Sequence, residues 1–292
     1  MVIRGKRGIA HEGGFKSQSA MEYLMTYGWA ILIIAVVLGA LFSLGVFNPY
    51  TFAAKAPPGA CQVFRPNGPG TTSFINTEGV CNGELPEYTV IFSSGSNLEN
   101  LTIMLPTIAI STGSSITITA WVKPVSSSNF GGVAITGPNQ QVGWDTEYAP
   151  NGNNWLSSNT IATGGTWSFI VAQETVGESA AIYLNGALTG YTSNSLMTGT
   201  VPSGDWFLGS FFDCCQYRGG LANVQIYNTS LSQQEIQSLY QEGIGGTPIN
   251  LQNLVGWWPL NGNANDYSGN NNNGAGTNVI YTTDWTSGYS PT

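Results

Sequence analysis

Two carboxylates, Asp145 and Glu147, stand two residues apart in "GWDTEY". On a strand that spacing puts both on one face, with Trp144 and Tyr148 beside them as flat surfaces for a sugar ring. Glycoside hydrolysis needs two carboxyl groups at a set separation across the bond to be cut. Acids on the outer face of a sheet are more often simply solvated, and the chain is not expected to be an enzyme. The single histidine, His11, precedes a long apolar run, so no histidine-assisted nucleophile is available after it. That shortage and the wide cysteine spacing also argue against a zinc centre. Cys61 and Cys81 bracket the turn-rich "CQVFRPNGPGTTSFINTEGVC" and are expected to be bonded. Adjacent Cys214 and Cys215 would form a vicinal disulfide or stay reduced; three connectivities are open in principle.

The element at the N-terminus poses a different chemical question. Residues 27–47 carry no charge and, at 21 residues, could cross a hydrocarbon core as a helix. Arg4, Lys6, Arg7 and Lys16 precede them, which predicts a cytoplasmic N-terminus and an exported remainder. The run is too long for the apolar region of an ordinary secretory signal and passes into Asn48-Pro49. Glu22 sits at its threshold, where an acid is costly unless it is paired or reaches water. The stretch Gln18-Ser19-Ala20-Met21-Glu22-Tyr23-Leu24 resembles the archaeal class III signal of type IV pilin-like proteins. That resemblance implies a prepilin peptidase cut between Ser17 and Gln18, with the apolar helix retained and Glu22 fifth in the mature chain. It also implies other pilin-like subunits as partners, the new amino group of one pairing with the glutamate of its neighbour. The expected location is the membrane, then the cell surface or an extracellular filament. A simple membrane anchor is the alternative.

After Pro49 the chain carries 4 basic residues against 14 acidic ones, a net charge of −10. Nucleic acid, which wants a basic stripe, is not an expected partner. Gly, Ser, Thr and Asn abound among short apolar alternations, the pattern of an all-β sandwich. "YTVIF", "SITITAWV", "WSFIVAQ", "DWFLGSF" and "LANVQIYN" read as strands, and Asn185-Gly186 in "AAIYLNGALTG" reads as a two-residue hairpin turn. One short helix is expected after Ser232. Glu235 completes a capping box, Leu231 and Ile236 form a hydrophobic staple, and Gly243 ends the helix.

The segments "SITITAWVKP", "WSFIVAQ", "IYLNGALTG", "FLGS" and "VQIYNTSLSQQEIQSLY" together resemble the laminin G/concanavalin-like jelly roll. "LVGWWPLNGNANDYSGNNNNGAG" looks like that family's opening strand and loop, yet it follows the helix, so the domain reads as circularly permuted. The expected class is therefore mainly β: an N-terminal transmembrane helix, then a concanavalin-like sandwich with one short helix. Its divisions are a cleaved leader (1–17), a membrane and assembly helix (18–49), a linker (50–60) and a disulfide-clipped loop (61–87). The jelly roll takes 88–292, with 254–282 completing the sheet. The resemblance implies adhesion or glycan recognition, and it implies calcium held by loop oxygens from Asp266 and Asn270, with Asp213 as another candidate. The family's hydrolase signature of three spaced acids is absent. Trp144, Tyr148, Trp155, Trp206, Phe211, Phe212 and Tyr217 are the candidate ligand surface, whereas Trp121 and Trp167 are expected in the core. Asn100 and Asn228 open two glycosylation triplets.

Overall fold

The computed structural model describes residues 15–43, 56–68, 71–79, 85–92, 102–108, 115–125, 133–137, 140–143, 147–148, 156–157, 162–194, 204–209 and 217–287. The chain divides into two units, Met1–Lys55 and Ala56–Thr292. In the first, α1 (Phe15–Ser43) is a 29-residue helix; residues 44–49 of the expected 18–49 segment lie outside the described residues. Ile31, Leu32, Ile33 and Ile34 are all exposed, and at 100° per residue these four successive side chains point to different sides of the helix. Side chains are described without a break only over residues 27–43 of α1. Among the described residues no helix is long and apolar enough to cross a membrane.

The second unit opens with a hairpin where a linker and a loop were expected. Strand β1 (Ala56–Pro66) pairs antiparallel with β2 (Thr72–Gly79), placing Val63 opposite Ile75 and Phe64 opposite Phe74. The reason is local. Apolar residues flank a turn at Asn67-Gly68, where Thr71 donates its N–H to the Gly68 carbonyl and accepts at its own carbonyl from Asn67. Phe64 is then buried against Phe74 and Trp285. Cys61 lies opposite Thr77 in this pairing. Its side chain, and all of Cys81, lie outside the described residues, as does the expected bond between them.

The sandwich is laid down by β3 (Thr89–Phe92), β4 (Thr102–Ile108), β5 (Ser115–Pro124), β6 (Val133–Gly137), β7 (Gln140–Gly143), β8 (Glu147–Tyr148) and β9 (Leu156–Ser157). There follow β10 (Ser168–Thr175), β11 (Ser179–Leu184), β12 (Ala187–Thr192), β13 (Gly204–Leu208), β14 (Gly219–Tyr227) and the helix α2 (Gln233–Glu242). The chain ends with β15 (Leu254–Trp258), β16 (Ala275–Thr277) and β17 (Ile280–Thr282). One sheet runs β12-β11-β10-β5-β14-β3-β17, with β15 also on β14; the other runs β16-β4-β13-β6-β7-β8-β9.

Alternation along β5 explains the layering. Ile116, Ile118 and Ala120 face the other sheet, packing with Ile103, Leu105, Trp206 and Leu208. Trp121 faces the opposite way, into a second cluster with Phe64, Phe169, Tyr240 and Trp285. Both faces of this sheet are therefore buried, one by its partner sheet and the other by α2, the hairpin and the turn that carries Trp285. The three C-terminal strands belong to both sheets: β15 lies on β14, β16 on β4, and β17 on β3. An extra residue between Leu254 and Gly256, at the bulge against Ile226 and Tyr227, breaks simple alternation in β15. Val255 and Trp258 consequently both reach the inter-sheet core.

Candidate functional site

Helix α2 is fixed at both ends. The Ser232 hydroxyl accepts from the Glu235 N–H, and the Glu235 carboxylate accepts in return from the Ser232 N–H at 2.7 Å. That bond from the Ser232 N–H, and a second donated by the Ser232 hydroxyl, hold the Glu235 carboxyl below the usual range. Ile236, Leu239 and Tyr240 are buried against the sheet. Tyr240 stacks on Trp121 with ring centroids 5.8 Å apart, and burial raises its phenol pKa. Gln233, Gln237 and Gln241 recur every four residues along an adjoining face.

That glutamine face forms one wall of a groove of about 830 Å³. The β11–β12 turn supplies the second wall. Asn185 and Gly186 both have positive φ, 52° and 76°, as a two-residue hairpin of this kind requires. The Gln233 amide donates to the Gly186 carbonyl at 3.0 Å, and the Asn185 side-chain oxygen accepts from the Phe169 N–H at 2.9 Å. The β1–β2 hairpin brings the third wall, with Arg65 and Ile75. The Arg65 side chain has no hydrogen bond or ion pair among the described residues, and among them no carboxylate lines the groove. The Tyr240 hydroxyl, buried beside it, has no hydrogen-bond partner among the described residues. The arrangement offers amide donors and acceptors, one guanidinium and an apolar floor. It can bind a polar molecule, but among the described residues it has no acid–base pair for turnover.

The aromatic surface expected from sequence is corrected in two places. Trp206 is 0% and Tyr217 1% exposed, so neither can meet a ligand. Trp206 is turned into the inter-sheet core by alternation in β13. Tyr217 donates its hydroxyl to the Gly220 carbonyl and packs edge-on to Phe92; burial pushes its phenol pKa far up. Trp144, Trp155, Phe211, Phe212, Asp213, Cys214, Cys215 and Asn100 lie outside the described residues, as does the side chain of Tyr148. Gln18, Ser17 and Glu22 fall within α1, but their side chains are likewise outside. Asn228 is half-buried, and its N–H donates to the Asn253 carbonyl. Trp121 and Trp167 are in the core as expected.

Asp266 and Asn270 do not fit a cation. The Asp266 carboxylate accepts three backbone N–H bonds, from Trp257 and Ser268 on one oxygen and Asn272 on the other, at 2.8–3.0 Å. Asn270 turns its amide nitrogen to the Leu254 and Val255 carbonyls. Donors crowd the carboxylate where calcium would need further oxygens, and no cluster of three or more metal-ligating side chains occurs among the described residues. The asparagine-rich loop is a brace that stitches itself to β15. Asn223 forms a bulge in β14 with φ 49°, its side-chain oxygen accepting from Gln225 and Trp257.

This two-sheet architecture with α2 behind it has a family counterpart. Residues 99–237 match the Laminin_G_3 family, described as the concanavalin A-like lectin/glucanases superfamily. The Laminin_G_3 segment runs from just before β4 into α2 and leaves out β15, β16 and β17. No curated protein matches the sequence. Among solved structures, a Bacteroides ovatus protein assigned to carbohydrate binding is similar at 14% identity and a TM-score of 0.54. The match covers 73% of this chain and 66% of that one, so this chain spans just under two thirds of its length. A heptameric SAP-like pentraxin from Limulus polyphemus is similar at 15% identity and a TM-score of 0.48, covering 67% of this chain and 94% of that one. Domain 4 of an extracellular GH43 arabinanase from Geobacillus stearothermophilus, solved with arabinotriose, is similar at 14% identity and a TM-score of 0.39, over 64% and 87%. At such identities the likeness speaks to fold alone. The mainly β, concanavalin-like sandwich is the fold expected from sequence.

Proposed function

We propose that the protein is a pilin-like subunit that carries a lectin-like domain outside the cell for glycan recognition or adhesion. The glycan part rests on the concanavalin A-like lectin/glucanase match over residues 99–237. The assembly part rests on the sequence at the N-terminus: residues 27–47 are uncharged, and Glu22 stands fifth from Gln18. A helix apolar on all sides needs an apolar partner, either lipid or the helices of other subunits. In this reading a prepilin peptidase cuts between Ser17 and Gln18, and Glu22 pairs with the amino group of the next subunit. Mass spectrometry of the native protein should then give Gln18 as the first residue; an intact Met1, or a cut beyond Phe47, would refute the processing. Glu22→Ala should abolish co-assembly with other subunits while leaving glycan binding intact. Undiminished co-assembly would refute the role of that carboxylate. Binding of the full-length protein to a glycan array tests recognition directly, and an array with no hits would overturn it.

A further inference from the structure

Neither Trp206 nor Tyr217 lines the groove between α2, the β11–β12 turn and the β1–β2 hairpin. We propose that it is a binding site for a carboxylate-bearing saccharide, such as a uronic acid unit, with Arg65 taking the carboxylate. The proposal rests on the glycan-recognition reading and names its site and ligand class.

The protein is acidic, with 16 Asp and Glu against 8 Lys and Arg, yet among the described residues this groove holds a guanidinium and no carboxylate. Arg65 is half-buried and unpaired among the described residues, so its fork of donors is available to a planar anion. Around it stand the carboxamides of Gln237 and Gln241, with no hydrogen-bond partner among the described residues, and those of Gln233 and Asn185, each engaged through one atom only. A carboxamide offers both donor and acceptor, which suits vicinal hydroxyls. Leu188, 49% exposed, and the Tyr240 ring give an apolar surface for the C–H face of a sugar ring. The volume, about 830 Å³, is that of a small-ligand site. A simple phosphate or a lone carboxylate would use Arg65 but leave the amide wall idle, which favours an acidic sugar over an inorganic anion.

Titration of the full-length protein in detergent micelles with digalacturonic acid, its dimethyl ester and neutral digalactose tests this. The acid should bind at least about tenfold more tightly than ester or neutral sugar, since hydrogen bonds to charged groups carry that much. Arg65→Gln should erase the preference. Gln237→Glu, at an exposed helical position where the fold tolerates change, should abolish acid binding by repulsion while the melting temperature stays put. Equal binding of acid and ester, or acid binding that survives both variants, would overturn the site. Glycan-array hits that are neutral, and unaltered by Arg65→Gln, would overturn this proposal while the recognition reading stands. No binding to any glycan would sink both.

Discussion

Ending the chain at Gly246 would remove β15, β16, β17 and the Trp285 turn, although the whole Laminin_G_3 segment would remain. Five large apolar side chains, Leu254, Val255, Trp258, Leu260 and Trp285, would go, all 9% exposed or less. Burying each is worth about 1.5–3 kcal/mol, or about 8–15 kcal/mol for the set. Partial burial in the unfolded chain takes off up to about 40%, leaving about 5–9 kcal/mol. A typical domain has about 5–15 kcal/mol in total. The loss also strips the Lys123 ammonium and the Trp167 indole of their shared acceptor, the Trp285 carbonyl, at 2.9 and 3.1 Å. Truncated protein should therefore lack a cooperative melt by near-ultraviolet circular dichroism and should elute as aggregate on gel filtration. Trp258→Ala in the full chain gives the graded comparison: it should remain folded but lose about 3–5 kcal/mol in a denaturant titration. A cooperative melt of the truncated chain within a few degrees of the full one would refute the claim that these strands are integral.

Gly256→Ala should cost about 1–3 kcal/mol in the same titration, because a Cβ there runs into the Trp258 ring inside a packed core. Ser232→Ala removes the N-cap and should cost about 1 kcal/mol of thermal stability. The Glu235 carboxyl is held down by its bonds to Ser232, so its contribution is present above its unfolded pKa and lost as pH falls through the lower folded value. Melting temperature should accordingly drop in that acid range, and Glu235→Gln should flatten that part of the profile. Excess EDTA should leave the melting temperature within about 1 °C, because the N–H groups gathered on Asp266 already satisfy its charge; a larger fall would show a cation in the loop.

Much of the scaffold was legible because local rules and tertiary needs agree. Ser232, Glu235, Leu231, Ile236 and Gly243 specify α2 without reference to anything else, and Asn185-Gly186 specifies its turn from backbone preference alone. The β1–β2 hairpin was missed because Pro57-Pro58 and the Gly-rich turn mimic a linker. Its evidence was the short pair of apolar alternations, "CQVF" and "TSFIN", which make sense only with α2 to cover Phe64. Trp206 and Tyr217 were misread since an aromatic near a loop looks the same in sequence whether it faces solvent or the next sheet. The groove itself could not be read. Arg65, Asn185 and the three glutamines are ordinary polar residues whose convergence depends on three separate chain crossings. Alternation also hid the bulges at Asn223 and Val255, each shifting a strand's facing by one residue.

The way β3 and β4 find their last neighbours has a consequence for how the protein is made. Both strands emerge from the ribosome early, yet β17 and β16, which close their open sides, lie about 170–190 residues later in the chain. Until residues 275–282 appear, each half-built sheet presents unpaired backbone groups to whatever is nearby. Contacts of such long sequence separation also make for slow closure. Nascent chains should therefore depend on holding factors through nearly the whole of synthesis, and the last event, seating Trp285 over Phe64 and Trp167, acts as the latch that ends that dependence.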